Sequence, residues 1–355
     1  MSEKLYRRGR LSDFFENNIV FRELEPVNKN LPGFSVLKGK LGLSVLPRKK
    51  DKEYVKVLSE MFRAAGSFSK IIYIGDTLMS DLSVINNFAE SGLFKTMGII
   101  TREGEADGFD ENENYIFSGS WANLPDVLAH IENKFFSVDK STVVIVDIDK
   151  TAIGARGRNE KAIDRARMDA IFMLAKKAFK DISAEEFLSV YNEVNKREFF
   201  SITEDNQDFV SILSMLVYGG VLSLADLRNA RSISNLLMGV ETKNPVILEY
   251  AETVLQNVKA QNPTAFPQFR KAEFEKTIAR ADFIQDKTPV ETLLSEEITI
   301  TGEVYDAALD LKSRGALVFG VSDKPALSSI PQEEGTLPPI YEKEMKIYGG
   351  KSGRI

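Results

Sequence analysis

The chain of 355 residues contains no cysteine, one histidine and one tryptophan. Without cysteine there is no disulfide, no thiolate metal site and no cysteine nucleophile. The one histidine, His130, lies in "NLPDVLAHIENK", an amphipathic stretch that reads as a helix with His130 on its surface. A histidine base, or a zinc site built on histidines, is therefore not expected. No window reaches 18 apolar residues, so no membrane span is expected. The opening "MSEKLYRRGRLSDFFENN" lacks the apolar core of a signal peptide, which makes a cytoplasmic protein the expectation. Positive charge is not in excess either. The net charge of −6 argues against nucleic acid or an anionic membrane as partner. There is no internal repeat and no low-complexity tract.

What remains is a chain 43% hydrophobic, ample for a sizeable core in two domains or in one domain with a large insert. Residues 1–50 are mixed; within them "NLPGFSVLKGKLGLSVLP" has turn residues around short β-prone runs. "KKDKEYVKVLSEMFRAAG" has apolar residues at helical spacing and a glycine stop. "IIYIG", "TMGIIT", "NYIFSG" and "TVVIV" read as strands alternating with helices, the pattern of an α/β layer with parallel strands. From about 155 the character changes. "NEKAIDRARMDAIFMLAKKAFKD", "SAEEFLSVYNEVNKREFF", "DNQDFVSILSMLVYGG", "SLADLRNARSISNLLMG", "NPVILEYAETVLQNVKAQ" and "FPQFRKAEFEKTIARADF" are all helical in period, several opening on a capping residue. The alternation resumes with the helix "TGEVYDAALDLKSRG" and the strand "ALVFGV". A last strand, "MKIYG", precedes a loose tail. The expected division is 1–154, a helical insert over 155–290, and 291–355.

In open α/β sheets ligands sit off the carboxyl ends of the strands. Four polar stations fall there or close by. Asp147, Asp149, Lys150 and Thr151 follow "TVVIV"; Ser322 and Asp323 follow "ALVFGV"; Asp76 and Asp81 follow "IIYIG"; and Lys49, Lys50 and Lys52 crowd the start of a helix. Each residue type suits phosphoryl transfer. Carboxylates are hard oxygen ligands for Mg²⁺. An aspartate can attack phosphorus, and a second carboxyl two residues on can protonate the leaving oxygen and later deprotonate water. Hydroxyls and lysine stabilise the phosphoryl oxygens.

These stations resemble the motifs of the haloacid dehalogenase (HAD) superfamily. "VVIVDIDKTAIG" resembles its first motif, "ALVFGVSDKP" the second, "KKDKEYVKVL" the third and "IIYIGDTLMSD" the fourth. The order here is third, fourth, first, second, as a circular permutation would give. The resemblance implies a HAD-like Rossmannoid parallel sheet with an inserted all-α cap that closes over the site. It implies a phosphatase acting on a small phosphorylated metabolite with Mg²⁺. By the same resemblance Asp147 is the nucleophile and a metal ligand. Asp149 is the general acid/base, its main-chain carbonyl also on the metal. Thr151 and Ser322 orient the nucleophile and the phosphoryl group. A lysine among Lys49, Lys50 and Lys52, Lys50 first, balances charge. Asp76 and Asp81 complete the metal set. Lys150 stands where the motif commonly has glycine. Arg156 and Arg158, with Asp323, are candidates for touching the substrate, and Gly154 and Gly157 for a hinge. The alternative is a HAD-like domain that binds a phosphorylated ligand or protein partner without turnover. The oligomeric state stays open.

Overall fold

The computed structural model describes residues 6–333, 335 and 337–350. Its strands are β1 (Arg8–Gly9), β2 (Ile19–Val20), β3 (Lys70–Gly75), β4 (Lys95–Thr101), β5 (Phe109–Glu111), β6 (Tyr115–Ser118), β7 (Thr142–Asp147), β8 (Ile300–Thr301), β9 (Leu317–Val321) and β10 (Met345–Tyr348). Seven of them form one sheet in the order β2-β9-β7-β3-β4-β6-β5. All neighbours in it are parallel except β5, which pairs antiparallel to β6. The fold is therefore α/β with a mostly parallel sheet. β7 lies inside it, between β9 and β3, and is buried along its whole length, which is why "TVVIV" is a continuous apolar run rather than an alternating one.

The strands that end at three of the polar stations are parallel neighbours. Ile74 pairs with Val146, and Asp147 pairs with Val321. The helices Lys52–Ala65 and Ser80–Ser91 cover one sheet face, where Leu58, Phe62, Val84 and Phe88 pack on Ile71, Tyr73, Val143, Ile145 and Phe319. The first of these helices stops at Gly66 and the second at Gly92, as their sequences suggest. A smaller sheet has the order β1-β10-β8, with β1 antiparallel and β8 parallel to β10 and Arg8 opposite Lys346.

The chain divides into two compact units, one of Met1–Asp164, Ile278–Ala326 and Leu337–Ile355, the other of Arg165–Thr277 and Leu327–Thr336. The second is helical around Phe187, Phe199, Val210, Leu213, Phe266 and Phe269. Ser183, Asn206, Ser223, Ser232 and Asn244 each cap a helix there through the side chain. The helical unit is thus shorter at both ends than 155–290, and it takes in a segment, Leu327–Thr336, that the sequence reading placed with the sheet.

Two local expectations need correction. "GFSVLKGKL" is not a pair of β-prone runs but holds the helix Phe34–Leu41, closed by Gly42 in the left-handed conformation; the flanking glycines define its ends and outweigh the β tendency of single residues. "SLADLRNARSISNLLMG" is two helices, Leu224–Asn229 and Ile233–Met238, because Ala230 is extended and Ser232 caps a new start. The tail from 351 lies outside the described residues. No helix among the described residues is long and apolar enough to cross a membrane.

Candidate active site

β7 and β3 end side by side, so Asp147 and Asp76 leave the sheet at the same edge. Asp81 joins them from the first turn of the helix Ser80–Ser91. Asp76, Asp81 and Asp147 are all buried, and each offers an oxygen within 4.8 Å of the others. The glycine before Asp76 allows this approach: a Cβ on Gly75 would stand 2.7 Å from Asp81 Cγ.

The cation is Lys49. Its Nζ donates to Asp147 Oδ1 at 2.5 Å and to Asp81 Oδ1 at 2.9 Å, and the side chain is 3% exposed. Lys50, the sequence's first choice, is exposed. The reason is a tight turn. Arg48 N donates to Asp51 Oδ2, and Asp51 N to Arg48 O. Of the two consecutive lysines inside that turn, Lys49 points inward and Lys50 to solvent. Lys52 is exposed as well and pairs with Glu90.

Asp81 serves as an organiser more than as a ligand. Its Oδ1 accepts from Lys49 and from Tyr73 Oη at 2.7 Å. Its Oδ2 accepts from Asp76 N, Thr77 N and Thr77 Oγ1. Asp147, by contrast, keeps Oδ2 without a hydrogen-bond partner among the described residues. Asp76 Oδ1 receives a long bond, 3.3 Å, from Thr151 Oγ1, and its Oδ2 a short one, 2.6 Å, from Arg156 Nε.

Asp149 stands apart from the cluster of three. Its carboxylate pairs with Lys324 Nζ at 2.8 Å. Ser322 is buried, with its Oγ accepting from Lys324 N at 3.1 Å. Asp323 is half-exposed, and its carboxylate lies 3.9 Å from Lys49 Nζ. The turn from Asp147 to Ile153 is closed by Ala152 N on Asp147 O and Ile153 N on Ile148 O. Lys150 takes φ +65° within it, a conformation that glycine adopts without strain, and its Nζ pairs with Asp164 at 2.9 Å.

Arg158 is held by two glutamates. It makes a two-pronged pair with Glu303 at 2.9 and 3.0 Å and a third contact with Glu103 at 2.8 Å. It therefore ties the loop to the helix Gly302–Ser313. Gly154 and Gly157 do have positive φ, but the loop is packed: a Cβ on Gly157 would stand 2.3 Å from the Glu103 carbonyl oxygen. Sequence reasoning missed Lys324 and Trp121. The indole Nε1 of the buried Trp121 donates to Arg156 O at 3.1 Å. Neither has a motif to announce it, although Lys324 lies in the quoted "SDKP".

Burial, reinforced by the charge of Asp81 and opposed by Arg156, raises Asp76 to about 6. Burial also raises Asp147 well above the usual carboxylate range, against the pull of Lys49. Asp81 moves the other way: burial is outweighed by Lys49 and the bonds from Tyr73 and Thr77. Burial works against the charge of Lys49, but Asp147 and Asp81 outweigh it and raise its value. A carboxyl raised on folding binds more protons folded than unfolded. Stability is then full below the ordinary value and falls as pH rises through the raised one. The metal-free protein should therefore lose stability between about pH 4 and pH 7, by on the order of 3 kcal/mol from Asp76. Asp81 acts in the opposite sense, but only below about pH 4. Urea denaturation in EDTA at pH 4.5, 5.5 and 7, compared with Asp76→Asn, isolates the effect. An equal pH slope in the variant would refute it.

The donor set fits a hard divalent cation: clustered carboxylates, one with an unclaimed oxygen and one with a weakly held oxygen. No protein family model, no curated protein and no solved structure matches the chain.

Proposed function

We propose that the chain is a Mg²⁺-dependent phosphatase of HAD type, circularly permuted, acting on a small phosphomonoester through an aspartyl phosphate on Asp147. One observation carries this reading. Asp76, Asp147 and Ser322 come from three adjacent parallel strand ends in the spatial order that a permuted motif order requires, and Lys49 bonds to Asp147.

Asp147 and Asp76 would hold the Mg²⁺, with the Asp149 carbonyl as the resemblance implies, and the ion would neutralise charge on the phosphoryl group. The chain's own residues do the rest. An Asp147 carboxylate oxygen bonds to phosphorus as the bond to the leaving oxygen breaks. Asp149 gives that oxygen its proton. Asp149 then takes a proton from water, whose oxygen bonds to phosphorus while the Asp147–phosphorus bond breaks. Lys49 holds Asp147 in place. The hydroxyls of Thr151 and Ser322 lie at the same edge and would steady the phosphoryl oxygens. The preference for a small substrate rests on the helical insert that follows the first motif.

One observation favours a second reading, binding of a phosphorylated ligand without turnover: Lys324 already engages the carboxylate of Asp149. Hydrolysis of p-nitrophenyl phosphate and of a panel of phosphorylated metabolites, with Mg²⁺ and with EDTA, separates the two. The phosphatase reading expects turnover that EDTA abolishes. Phosphate binding with no turnover of any panel member would leave only the second.

A further inference from the structure

Arg156 has two features that do not fit a simple surface arginine. Its backbone is fixed: its N donates to Lys150 O, and its O accepts from both Trp121 Nε1 and Glu103 N. Its side chain, however, is divided between two carboxylates. Nε donates to Asp76 at 2.6 Å and Nη1 to Glu160 at 2.8 Å. Nη2 has no partner among the described residues, and the side chain remains 24% exposed. The guanidinium is thus anchored at its base, open at its tip, and bonded to a carboxylate of the candidate metal site.

The charges give this arrangement a direction. Asp76, Asp81 and Asp147 outnumber Lys49 and Arg156, and Glu160 on Arg156 and Asp323 near Lys49 add to the negative excess. A divalent cation on Asp76 and Asp147 would take over from Arg156 the neutralisation of Asp76. Arg156 would then be released from that pair. Glu160, the first residue of the helix Glu160–Ala178, stays its partner, so it need not leave the edge of the site. From there an arginine fork suits the paired oxygens of a phosphoryl group.

We propose that Arg156 is a resident counter-ion: it competes with the divalent cation for Asp76, and once displaced it binds the substrate's phosphoryl oxygens. This rests on the phosphatase reading above and adds a specific coupling to it. Removing Arg156 then has effects of opposite sign on the two ligands. A purely structural arginine would weaken both when lost.

The test uses the whole chain, with Trp121 emission and calorimetry to read binding. Arg156→Gln is expected to bind Mg²⁺ about tenfold more tightly without phosphate, the size of one charge-assisted pair. The Mg²⁺-loaded variant is expected to bind inorganic phosphate about tenfold more weakly. Lys161→Gln, at an exposed position nearby, makes the same charge change without touching Asp76. It should stay within about twofold of wild type for both ligands. Should Arg156→Gln fold poorly, Glu160→Gln takes its place. There Arg156 leans on Asp76 alone, and Mg²⁺ should bind several-fold more weakly while phosphate binding holds. Unchanged or weaker Mg²⁺ binding in Arg156→Gln, or equal shifts in Lys161→Gln, would overturn this inference alone. A wild-type chain that binds no Mg²⁺ would overturn both it and the phosphatase reading.

Discussion

Asp147→Asn should abolish both turnover and phosphoenzyme formation, while Asp149→Asn should spare part of the first step. The difference follows from position. Asp147 lies within the carboxylate cluster, held by Lys49. Asp149 lies two residues on and is held by Lys324. Loss of Asp149 removes the proton donor and the base for water, worth about 10²–10⁴-fold for general acid/base catalysis. Alkyl phosphates, whose leaving groups need the proton, should suffer most. Aryl phosphates should still form phosphoenzyme at a measurable rate. Rapid-quench measurement of phosphoenzyme with both substrate classes checks this. Equal losses with both would remove Asp149 from the acid/base role, and a fully active Asp147→Asn would end the phosphatase reading.

Lys49→Met should destabilise the protein by about 3–5 kcal/mol, because removing one partner of a buried pair strands the other charge. Here two carboxylates, Asp81 and Asp147, would be stranded at once. Lys50→Met, one residue away and exposed, should stay within about 0.5 kcal/mol of wild type. Chemical denaturation at pH 7 in EDTA measures both. Similar values for the two variants would mean that Lys49 does not hold the cluster together. Lowering the pH should shrink the Lys49→Met penalty, since protonated carboxyls need no cation.

The contrast between those two lysines shows how far the sequence could be read. Asp76 and Asp147 were legible because an apolar run ending in a carboxylate follows from the fold itself: a buried parallel strand has nowhere else to place a charge. The choice between Lys49 and Lys50 was not, because it depends on which way one turn faces, and Asp51 decides that through its bond to Arg48 N. The ion pairs of Arg158 were hidden for a related reason. Its partner Glu303 lies 145 residues away, and nothing local distinguishes a tie from a free arginine. The bond of Arg156 to Asp76 required knowing that the two loops meet. The short edge strands β2 and β5 escaped because two or three residues carry too little pattern. The helix Phe34–Leu41 was hidden by the opposite error, trust in single-residue β tendency over the glycines at its ends.

The position of β9 has a consequence for how the chain is made. β3, β4, β6 and β7 leave the ribosome in sequence and can pair at once, but β9 follows only after the helices of Arg165–Thr277. Until then the edge of β7 that β9 will cover offers unpaired backbone along an apolar run, and β2 has no partner in the sheet at all. Such an edge is a template for pairing with a second nascent chain. A polypeptide halted before Leu317 should accordingly aggregate through "TVVIV", and ribosome stalling or rare codons in the stretch that encodes the helical unit should lower the yield of native protein more than the same delay placed after β9.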